Sequence, residues 1–367
     1  MRIVLNAATT SVTGTLSVAI NLYNYLNKLF TESEFFFITC EGVYVKKFVS
    51  SKGCVVSIPP KLTKYSKRFF LDNFILPYKI KKLKPDLVIN FDNLPVKTKI
   101  KQLLIVGNPY YAVDCKDLNF LSYKEKIIAC ARKKLFLNRL NYADKFIFQS
   151  KFMAYGVNRN IRNKIDFDII PNFYNEKKSD EKHLFVPKKV EGCFYLVYPS
   201  YCYKHKNFEI LPQLANEIKK RKLNVKLLVT FQGVCRNVYK KIVADGNDDV
   251  IYDIGNVNRN KFASLYEEVD GIFFPSYLES FSQILYDALK FHLPIFVSNK
   301  LYAKSIFGDS AIYFEPENVF SIVEALEKIN DKILLTEKVK KYERILNQMP
   351  DNREIAEMYI KLIKNML

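Results

Sequence analysis

The sequence predicts an α/β protein made of two domains, each built on a parallel β-sheet. Its 367 residues are too many for one ordinary core, because most domains have about 100–200 residues. Short apolar runs alternate with amphipathic helical stretches, as in parallel sheets covered by helices on both faces. After a charged stretch near residue 180 the alternation starts again. Since 49% of the residues are apolar, each half can form its own core.

The first half begins with a predicted strand, RIVLN, followed by a Ser/Thr/Gly loop and the helical stretch LSVAINLYNYLNKLF. This opening could be mistaken for a signal peptide, but Asn6 and the polar cluster interrupt it, so a strand and its loop are expected instead. The later strands of this half are predicted at EFFFITC, DLVINF, KQLLIVG, KFIFQS and FDIIPN.

The second half follows a predicted linker in PNFYNEKKSDEKH. Its predicted strands are FYLVYPS, VKLLVTF, DVIYDIG, GIFFP, PIFVSN and AIYFE, and its predicted helices are FEILPQLANEIKKRK, NKFASLYEEV and FSQILYDALKFH. We expect a first domain at 1–175, a second at 190–345, and a last helix at 346–367 that packs back toward the first domain. Two such domains facing across a cleft would bind ligands beyond the carboxyl ends of their strands.

Composition excludes several classes of protein. The seven cysteines include no CxxC pair, which favours reduced thiols over disulfides or a zinc site. Three histidines are too few for a typical histidine-based metal site. No run of about 18 apolar residues occurs, so a transmembrane helix is not predicted.

The positive charge lies almost entirely in the first half. Residues 1–175 hold 28 Lys and Arg against 12 Asp and Glu, whereas the remainder holds 29 against 26. The stretches 61–85 and 123–141 interleave basic with aromatic or aliphatic residues, as interfacial membrane helices do. Solvated surface lysines, a phosphorylated acceptor or nucleic acid are alternative explanations. Against nucleic acid, the sequence carries no helix-turn-helix, zinc or RNA-recognition signature.

The stretch LESFSQILYD places Glu279 at the exit of a predicted strand and Asp287 inside the next helix. Ser280 and Gln283 have the spacing of a capping box, so the helix is expected to begin near Ser280 or Ser282. A helix N-terminus at this edge of the sheet suits a diphosphate, and a carboxylate can accept two hydrogen bonds from a ribose. The residues alone leave open that both acids are merely solvated.

The stretch YPSYCYKHKNFEIL follows another predicted strand. Lys204 and Lys206 lie in its loop, and Asn207 can cap the helix that comes next. A lysine at this edge would place a point charge against a phosphate. Taken alone, the loop fits an ordinary surface lysine equally well.

These two stretches together resemble the signature of glycosyltransferase family 4, the retaining enzymes of GT-B fold. FFPSYLESFSQILYDALKFHLPIFVSN has the Pro-Ser at a strand end, the first acid, seven residues and the second acid. YPSYCYKHKN is similar to the form found in polysaccharide- and oligosaccharide-assembly members. LNAATTSVTGTLSVAINLYNYL, KQLLIVGNPYY, ADKFIFQSKFM and IIPN occur in the order usual for that subgroup, so the resemblance covers nearly the whole chain.

The resemblance implies a site for a nucleotide-diphosphate sugar on the second domain. Lys206 would contact the diphosphate, helped by the backbone N–H groups of Phe281 and Ser282. Ser200 would also belong to the residues that bind the donor. Glu279 would contact the donor sugar, and Asp287 would hold the ribose. The donor would be a UDP- or GDP-sugar, and no metal would be needed because lysine and helix N-termini stabilise the leaving group.

The resemblance also implies roles for residues in other loops. Gly255, Asn256 and Val257 would approach the base of the nucleotide. Gly14 and Thr15, in the first loop, would close over the donor from the other domain. The acceptor would be a glycan or lipid-linked glycan for lipopolysaccharide or capsule. We therefore expect a cytoplasmic hexosyltransferase, peripherally associated with the inner membrane face and binding no nucleic acid.

The sequence departs from the family pattern at four places. Asp287 stands where the family usually has Glu, and Ser200 and Tyr201 occupy the place of a common Arg. Ser280-Phe-Ser replaces Gly-Phe-Gly, and the loop before Asn108-Pro lacks a frequent His. These departures keep open a second interpretation, a GT-B protein that has lost activity and serves as a scaffold or partner subunit.

Overall fold

The computed structural model describes residues 1–9, 14–40, 54–63, 65–161, 164–174, 187–258 and 261–367. The chain divides into two compact units. The first comprises Met1–Phe173 together with Pro350–Leu367, and the second comprises Tyr174–Met349. Most of the predicted linker lies outside the described residues.

The first unit contains a parallel sheet of seven strands in the order 3-2-1-4-5-6-7. Its strands are β1 (Arg2–Ala7), β2 (Glu34–Cys40), β3 (Cys54–Ile58), β4 (Leu87–Asn90), β5 (Lys101–Val106), β6 (Lys145–Phe148) and β7 (Phe167–Ile169). Its helices up to β7 are α1 (Gly14–Leu29), α2 (Pro60–Thr63), α3 (Tyr65–Phe70), α4 (Leu76–Leu83), α5 (Tyr123–Leu137) and α6 (Lys151–Asn158). A π-helical turn, Leu71–Ile75, joins α3 to α4.

The core of the first unit forms because the central strands are buried on both faces. One cluster packs Val4 of β1 and Val88 of β4 against Leu71, Leu76 and Ile80 of the helical segment. A second cluster is formed by the later strands together with α5 and α6, and contains Leu104, Phe136, Phe146 and Met153. Continuous apolar strands of this kind are typical of parallel sheets.

The second unit contains a parallel sheet of six strands in the order 10-9-8-11-12-13. Its strands are β8 (Phe194–Tyr198), β9 (Val225–Val229), β10 (Ile251–Asp253), β11 (Gly271–Phe274), β12 (Ile295–Ser298) and β13 (Ile312–Phe314). Its helices are α7 (Leu211–Lys220), α8 (Arg236–Ala244), α9 (Phe262–Glu267), α10 (Gln283–Lys290), α11 (Leu301–Phe307), α12 (Val319–Glu327), α13 (Lys332–Lys340) and α14 (Tyr342–Leu346). Gly271 is required by close packing, because a Cβ there would lie 2.8 Å from Leu196 and 2.9 Å from the Pro294 carbonyl oxygen.

The last helix, α15 (Asn352–Met366), belongs to the first unit. It begins with a capping box between Asp351 and Glu354. Ile355 and Tyr359 are buried, and the Tyr359 ring stacks on Phe173 with 6.4 Å between ring centroids. The helix therefore returns the chain to the unit in which it started.

Both sheets have a switch point. On one side of it the strands that follow the first strand in sequence are added toward one edge of the sheet, and on the other side later strands are added toward the opposite edge. It lies between β1 and β4 in the first sheet and between β8 and β11 in the second. Ligands of open α/β sheets bind beyond the carboxyl ends of the strands at this position. The loops after these four strands are therefore the first places to look for a site.

The predicted α/β class with two Rossmann-like units is confirmed, and each predicted strand has a counterpart. The sequence reasoning missed β3, the helices α6 and α8, and the helices between residues 301 and 346. Within the described parts of the chain, every helix is too short or too polar to cross a bilayer.

The expectation of reduced, unpaired cysteines is wrong for two pairs. Cys115 is bonded to Cys130 and Cys202 to Cys235, each pair with 5.8 Å between Cα atoms. The partners are 15 and 33 residues apart in the sequence. Such pairing depends on which loops the fold brings together, so cysteine spacing could not reveal it.

Candidate functional site

Lys206 and Glu279 form an ion pair at the switch point of the second sheet. The Lys206 Nζ donates to the Glu279 Oε1 at 2.6 Å. Lys206 follows β8 and Glu279 follows β11, and these strands are neighbours although the two residues are 73 positions apart. The structure thus brings together the two residues that the sequence placed in separate loops.

The ion pair is largely removed from solvent. The side chains of Lys206 and Glu279 are 12% and 10% exposed, and the Lys206 Nζ lies 5.1 Å from the centroid of the Phe274 ring. In a buried pair each charge compensates the desolvation of the other. Removing one partner therefore leaves an unpaired buried charge and destabilises the fold. An anion that approaches Lys206 must therefore compete with Glu279 or displace it toward another polar group.

A hydrogen-bond network fixes the backbone beneath the ion pair. The Tyr198 hydroxyl, at the end of β8, donates to the Lys206 carbonyl oxygen at 2.7 Å and lies 3.4 Å from the Ser276 Oγ. The Tyr302 hydroxyl donates to the Ser276 carbonyl oxygen at 2.9 Å. Burial raises the pKa of the Tyr198 phenol, so it keeps its proton as the donor in this network.

The turn that carries Lys206 is a short 3-10 helix, Lys204–Lys206, that ends at Asn207. Asn207 adopts the left-handed conformation with φ of 57°, which Asn tolerates better than most residues. Its side-chain Nδ2 donates to the Pro316 carbonyl oxygen at 2.7 Å. Asn207 therefore ends the turn that aims Lys206, whereas the sequence predicted it only as a helix cap.

His205 does not add positive charge to this turn at neutral pH. Burial lowers the pKa of the imidazole from 6.5 to about 4, although the nearby Glu279 carboxylate acts to raise it. The Tyr203 ring stacks on the imidazole with 5.6 Å between ring centroids and 6° between planes. The His205 carbonyl oxygen accepts a hydrogen bond of 2.7 Å from the Tyr277 backbone N–H, which ties this turn to the loop after β11.

Helix α10 begins at Gln283, two residues later than a cap at Ser280 predicted and directly after Ser282, the other predicted start. Its N-cap is Ser282, whose side chain makes no capping hydrogen bond, so the predicted use of Ser280 as the cap is wrong. Phe281 is buried and stacks on Tyr286 with 4.3 Å between ring centroids. This ring pair fixes the entry of the chain into the helix without a side-chain cap.

Asp287 is the fifth residue of α10 and is buried. At 1.5 Å of rise per residue it lies about one turn from the helix N-terminus. The sequence predicts that the Asp287 carboxylate binds a ribose. To do so, it must extend past the first turn of α10 to reach a ligand at the helix N-terminus. Its role stays a prediction.

The remaining predicted donor residues follow β8 and β10. Ser200 is buried, and its carbonyl oxygen accepts from the Thr230 hydroxyl at 2.8 Å. Gly255 has φ of 67° and donates its N–H to Asp253 Oδ1 at 2.9 Å. At about 4.8 Å per strand, the loop after β10 lies roughly 14 Å from the loop after β11 along the sheet edge. That span is the length scale of an extended nucleoside diphosphate.

Asn256 and Val257 complete the loop after β10. The Asn256 Oδ1 accepts from the Gln232 Nε2 at 2.8 Å, and Val257 is buried. The loop is thus anchored to its neighbour after β9. Contact of these residues with a base stays a prediction.

Gly14 and Thr15 are the first two residues of α1 rather than loop residues as predicted. A Cβ on Gly14 would meet no atom within 4 Å, so the glycine is not required by packing. Residues 10–13 of the loop before it lie outside the described residues. The predicted closure of Gly14 and Thr15 over a donor stays a prediction.

A buried carboxylate lies at the switch point of the first sheet and was missed by the sequence reasoning. The Asp92 Oδ1 accepts from the Thr9 backbone N–H at 3.0 Å and from the Thr9 hydroxyl at 2.7 Å. The Asn6 Nδ2 lies 3.4 Å from the Asp92 Oδ2 and donates to the Asn90 Oδ1 at 3.2 Å. Burial raises the pKa of Asp92 above 3.8, against the lowering effect of Arg68 and the Thr9 bonds.

The loops beside Asp92 are organised by amide side chains. Asn93 has φ of 61°, and its Oδ1 accepts from the backbone N–H groups of Gly107 at 2.6 Å and Asn108 at 2.8 Å. The Asn108 side chain in turn caps the short helix that starts at Pro109. These amides occupy the loop in which the family often carries a His. The signal for Asp92 was its place directly after the strand run DLVINF, at the same edge as the first loop.

Comparison with known proteins relates both the sequence and the fold to glycosyltransferases. Residues 179–346 match the family described as "Glycosyl transferases group 1", a segment that falls within the second unit. No curated protein matches the sequence.

Among solved structures, the chain is similar to sucrose-phosphate synthase from Thermosynechococcus elongatus, with 13% identity, a TM-score of 0.73, and coverage of 100% of this chain and 99% of that chain. It is also similar to WaaG, a glycosyltransferase involved in lipopolysaccharide biosynthesis, with 13% identity, a TM-score of 0.72, and coverage of 98% and 99%. A third similar structure is Anabaena Alr3699/HepE in complex with UDP and glucose, with 11% identity, a TM-score of 0.70, and coverage of 100% of both chains. Identities this low establish the fold alone: the chain has the two-unit α/β fold of GT-B glycosyltransferases, and its residues 179–346 carry the group 1 family match.

Proposed function

We propose that the protein is a retaining glycosyltransferase of family 4 that moves a hexose from a nucleotide-diphosphate sugar to a glycan or lipid-linked glycan. The observation that carries this proposal is the buried Lys206–Glu279 ion pair at the switch point of the second sheet. It lies within the segment matched by the glycosyltransferase family. A cation and an acid at this position supply what a sugar diphosphate requires, a charge for the anionic leaving group and an acceptor for the hydroxyls beside it.

In the proposed reaction, the bond between the sugar C1 and the diphosphate oxygen breaks, and its electron pair leaves with the diphosphate. Lys206 stabilises the charge that develops on that oxygen, and the backbone N–H groups of Phe281 and Ser282 at the start of α10 assist. The acceptor hydroxyl oxygen bonds to C1 from the face that the diphosphate leaves. Its proton is carried away by the released diphosphate.

Glu279 has two roles in this proposal, one before the donor binds and one after. Before the donor binds, it neutralises Lys206 across 2.6 Å. When the diphosphate takes its place beside Lys206, the carboxylate becomes available to the hydroxyls of the donor sugar. Asp287 holds the ribose, and Gly255, Asn256 and Val257 line the position of the base.

The donor is proposed to be a UDP- or GDP-sugar bound without a metal ion. The similar Anabaena structure is a complex with UDP and glucose, which favours UDP. Lys206 and the N-terminus of α10 supply the positive charge that a metal would otherwise provide. Addition of EDTA is therefore expected to leave transfer unchanged.

The acceptor is proposed to belong to surface polysaccharide assembly, lipopolysaccharide or capsule. The similar structure of WaaG is described as involved in lipopolysaccharide biosynthesis, and the first 175 residues carry most of the net charge of +19. We propose that the enzyme works in the cytoplasm, at the anionic inner face of the membrane, where lipid-linked acceptors are exposed. The Cys115–Cys130 and Cys202–Cys235 disulfides would be unusual in that reducing compartment.

The test of the donor site compares two lysines of the same turn. A thermal-shift panel of UDP, GDP and their sugars should raise the Tm of the wild type, because a ligand at 100 times its Kd adds about 2.7 kcal/mol of stability. Lys206→Ala should weaken that binding at least about tenfold, since it removes a charged partner of the diphosphate. Lys204→Ala is the matched control, because Lys204 is exposed and pairs with Glu209 at the surface.

The proposal fails if no nucleotide changes the Tm of the wild type, or if both lysine variants lose binding equally. Transfer itself is checked by the anomeric configuration of the product, which must equal that of the donor in a retaining reaction. The alternative of an inactive scaffold, suggested by Asp287 in place of Glu, predicts nucleotide binding without transfer to any acceptor.

A further inference from the structure

Three phenylalanines in the first unit form an exposed aromatic cluster. Phe69, Phe70 and Phe74 are 63%, 58% and 60% exposed, and their ring centroids lie 5.8–6.4 Å apart. We call these three residues the Phe cluster. Single exposed apolar residues are common, but a contiguous apolar patch on a soluble surface indicates a binding partner.

The helical segment turns the Phe cluster outward while keeping its other face in the core. Leu71, Leu76 and Ile80 are buried against the sheet. The spacing of five residues between Leu71 and Leu76 spans the π-helical turn, in which one extra residue is accommodated per turn. The turn thus keeps both leucines on the inner face and leaves Phe70 and Phe74 on the outer face.

The surroundings of the Phe cluster are strongly basic. Lys67, Lys81, Lys82 and Lys84 are exposed on the same segment. The one acidic residue between positions 61 and 85 is Asp72, which is buried and pairs with the Arg68 Nε at 2.7 Å. The exposed face of this segment therefore combines aromatic rings with positive charge.

A second basic and apolar face adjoins the first. Arg139, two residues beyond α5, donates to the Asn73 Oδ1 at 3.2 Å, so the end of α5 lies against the π-helical turn. Helix α5 exposes Tyr123, Ile127 and Ile128 together with two lysines, Lys124 and Lys134. The contact between Arg139 and Asn73 places the end of α5 beside the segment that carries the Phe cluster.

The segment that carries the Phe cluster lies near the switch point of the first sheet, because its Leu71 packs in one cluster with Val4 of β1 and Val88 of β4. Arg68 and Asp72, at the base of the Phe cluster, lie close enough to Asp92 to influence its pKa. A partner that covers the Phe cluster would therefore lie beside the loops that follow β1 and β4.

We propose that the Phe cluster inserts its rings into the interface of an anionic lipid bilayer, with the surrounding lysines on the lipid phosphates. Aromatic rings at the headgroup boundary and basic residues over an anionic leaflet are the chemistry of an interfacial helix. Insertion holds the carboxyl edge of the first sheet at the membrane surface, where the head of a lipid-linked acceptor lies. The inference rests on the acceptor class proposed above and is independent of the donor site.

The absence of tryptophan from the sequence makes insertion directly measurable. Phe70→Trp would be the sole tryptophan of the 367-residue sequence. With vesicles of phosphatidylcholine and about one third phosphatidylglycerol, its emission should shift to the blue and be quenched by brominated acyl chains. Phe320→Trp, at an exposed position of the second unit, is the matched control and should show neither change.

A second experiment separates insertion from electrostatic adsorption. Salt screens surface charges, so adsorption alone would be fully released at high salt, whereas insertion leaves a resistant fraction in vesicle flotation. The triple variant F69S/F70S/F74S should bind these vesicles at least about tenfold more weakly. The control triple L301S/F320S/I333S changes exposed apolar residues of the second unit and should bind as the wild type does.

The proposal is overturned if Phe70→Trp is not quenched, or if the F69S/F70S/F74S variant binds vesicles normally. It is also overturned if that variant changes only the oligomeric state in light scattering, which would assign the Phe cluster to contact with a second copy of the chain. The UDP and GDP thermal shifts, measured on the same variant, should be unchanged. Failure of membrane insertion is thereby distinguished from failure of the proposed donor site.

Discussion

The two switch points share one strand order and differ in their electrostatics. Each lies between the first and fourth strands of a sheet ordered 3-2-1-4. In the second sheet, Glu279 is paired with the Lys206 ammonium. In the first sheet, Asp92 accepts hydrogen bonds from the neutral groups of Thr9 and Asn6.

The difference shows that topology provides the position of a site and the loop residues determine its chemistry. The second switch point holds a cation that an incoming anion can use. The first holds a carboxylate whose pKa is raised by burial, which suits contact with neutral hydroxyls. Such a division would fit a donor that is anionic and an acceptor that is a sugar.

The largest expected effect concerns the ion pair. Lys206→Met or Glu279→Gln alone should lower the free energy of unfolding by about 3–5 kcal/mol, because each leaves a buried charge without its partner. The double variant should be much less destabilised than the sum of the two. Urea unfolding of all four proteins measures the coupling energy.

The exposed pair Lys204–Glu209 is the control, and its coupling energy is measured with the corresponding single and double variants. Its side chains are about half exposed, so its coupling energy should be below about 1 kcal/mol. Equal coupling in the two cycles would contradict a special role for the buried pair.

The next effect is the pH dependence that His205 gives to the second unit. Its pKa is about 4 in the folded protein and 6.5 when unperturbed, because burial disfavours the imidazolium. The unfolded chain therefore binds the proton first as the pH falls from 6.5 toward 4. Over that range the free energy of unfolding should decline by up to about 3 kcal/mol.

His205→Gln should remove this part of the acid sensitivity. The two proteins, followed by calorimetry between pH 7 and 4, should differ in how steeply their stability falls with pH, because the variant cannot take up the proton. A variant as acid-sensitive as the wild type would assign the effect to other groups.

The smallest expected effect on stability comes from Asp92, at the first switch point. Its pH dependence has the opposite sign to that of His205. Because the pKa of Asp92 is raised above 3.8, the unfolded chain releases that proton at a lower pH than the folded protein does. Asp92 therefore reduces stability as the pH rises through that window. Asp92→Asn should have a Tm at pH 7 equal to or above that of the wild type, with the advantage lost below pH 4. A lower Tm at pH 7 would show that Asp92 is held as a stabilising anion.

Local pattern predicted the strands and the loops that follow them, including those that carry Lys206 and Glu279. It could not predict that the two side chains bond, because this requires that β8 and β11 be neighbours in the sheet. The same limit explains the missed pairing of Cys202 with Cys235, which joins the loops after β8 and β9.

Helix α10 and Asp92 show two other limits. The spacing of Ser280 and Gln283 fits a capping box, but the stacked rings of Phe281 and Tyr286 set the entry to the helix instead. Asp92 belongs to a short polar loop, and its burial follows from the bonds to Thr9, which lies 83 residues away. Local spacing predicts neither the ring stack nor the burial of Asp92, although the place of Asp92 directly after a strand run marks it as a candidate.

The π-helical turn at Leu71–Ile75 also has a genetic consequence. Such a turn is equivalent to a single residue inserted into an α-helix. Deleting one codon within it would restore regular helix and rotate α3 by about 100° relative to α4, which would carry Phe69 and Phe70 to another side of the segment. One in-frame insertion or deletion can thus add or remove the aromatic face while the sheet and the core residues of α4 stay in place.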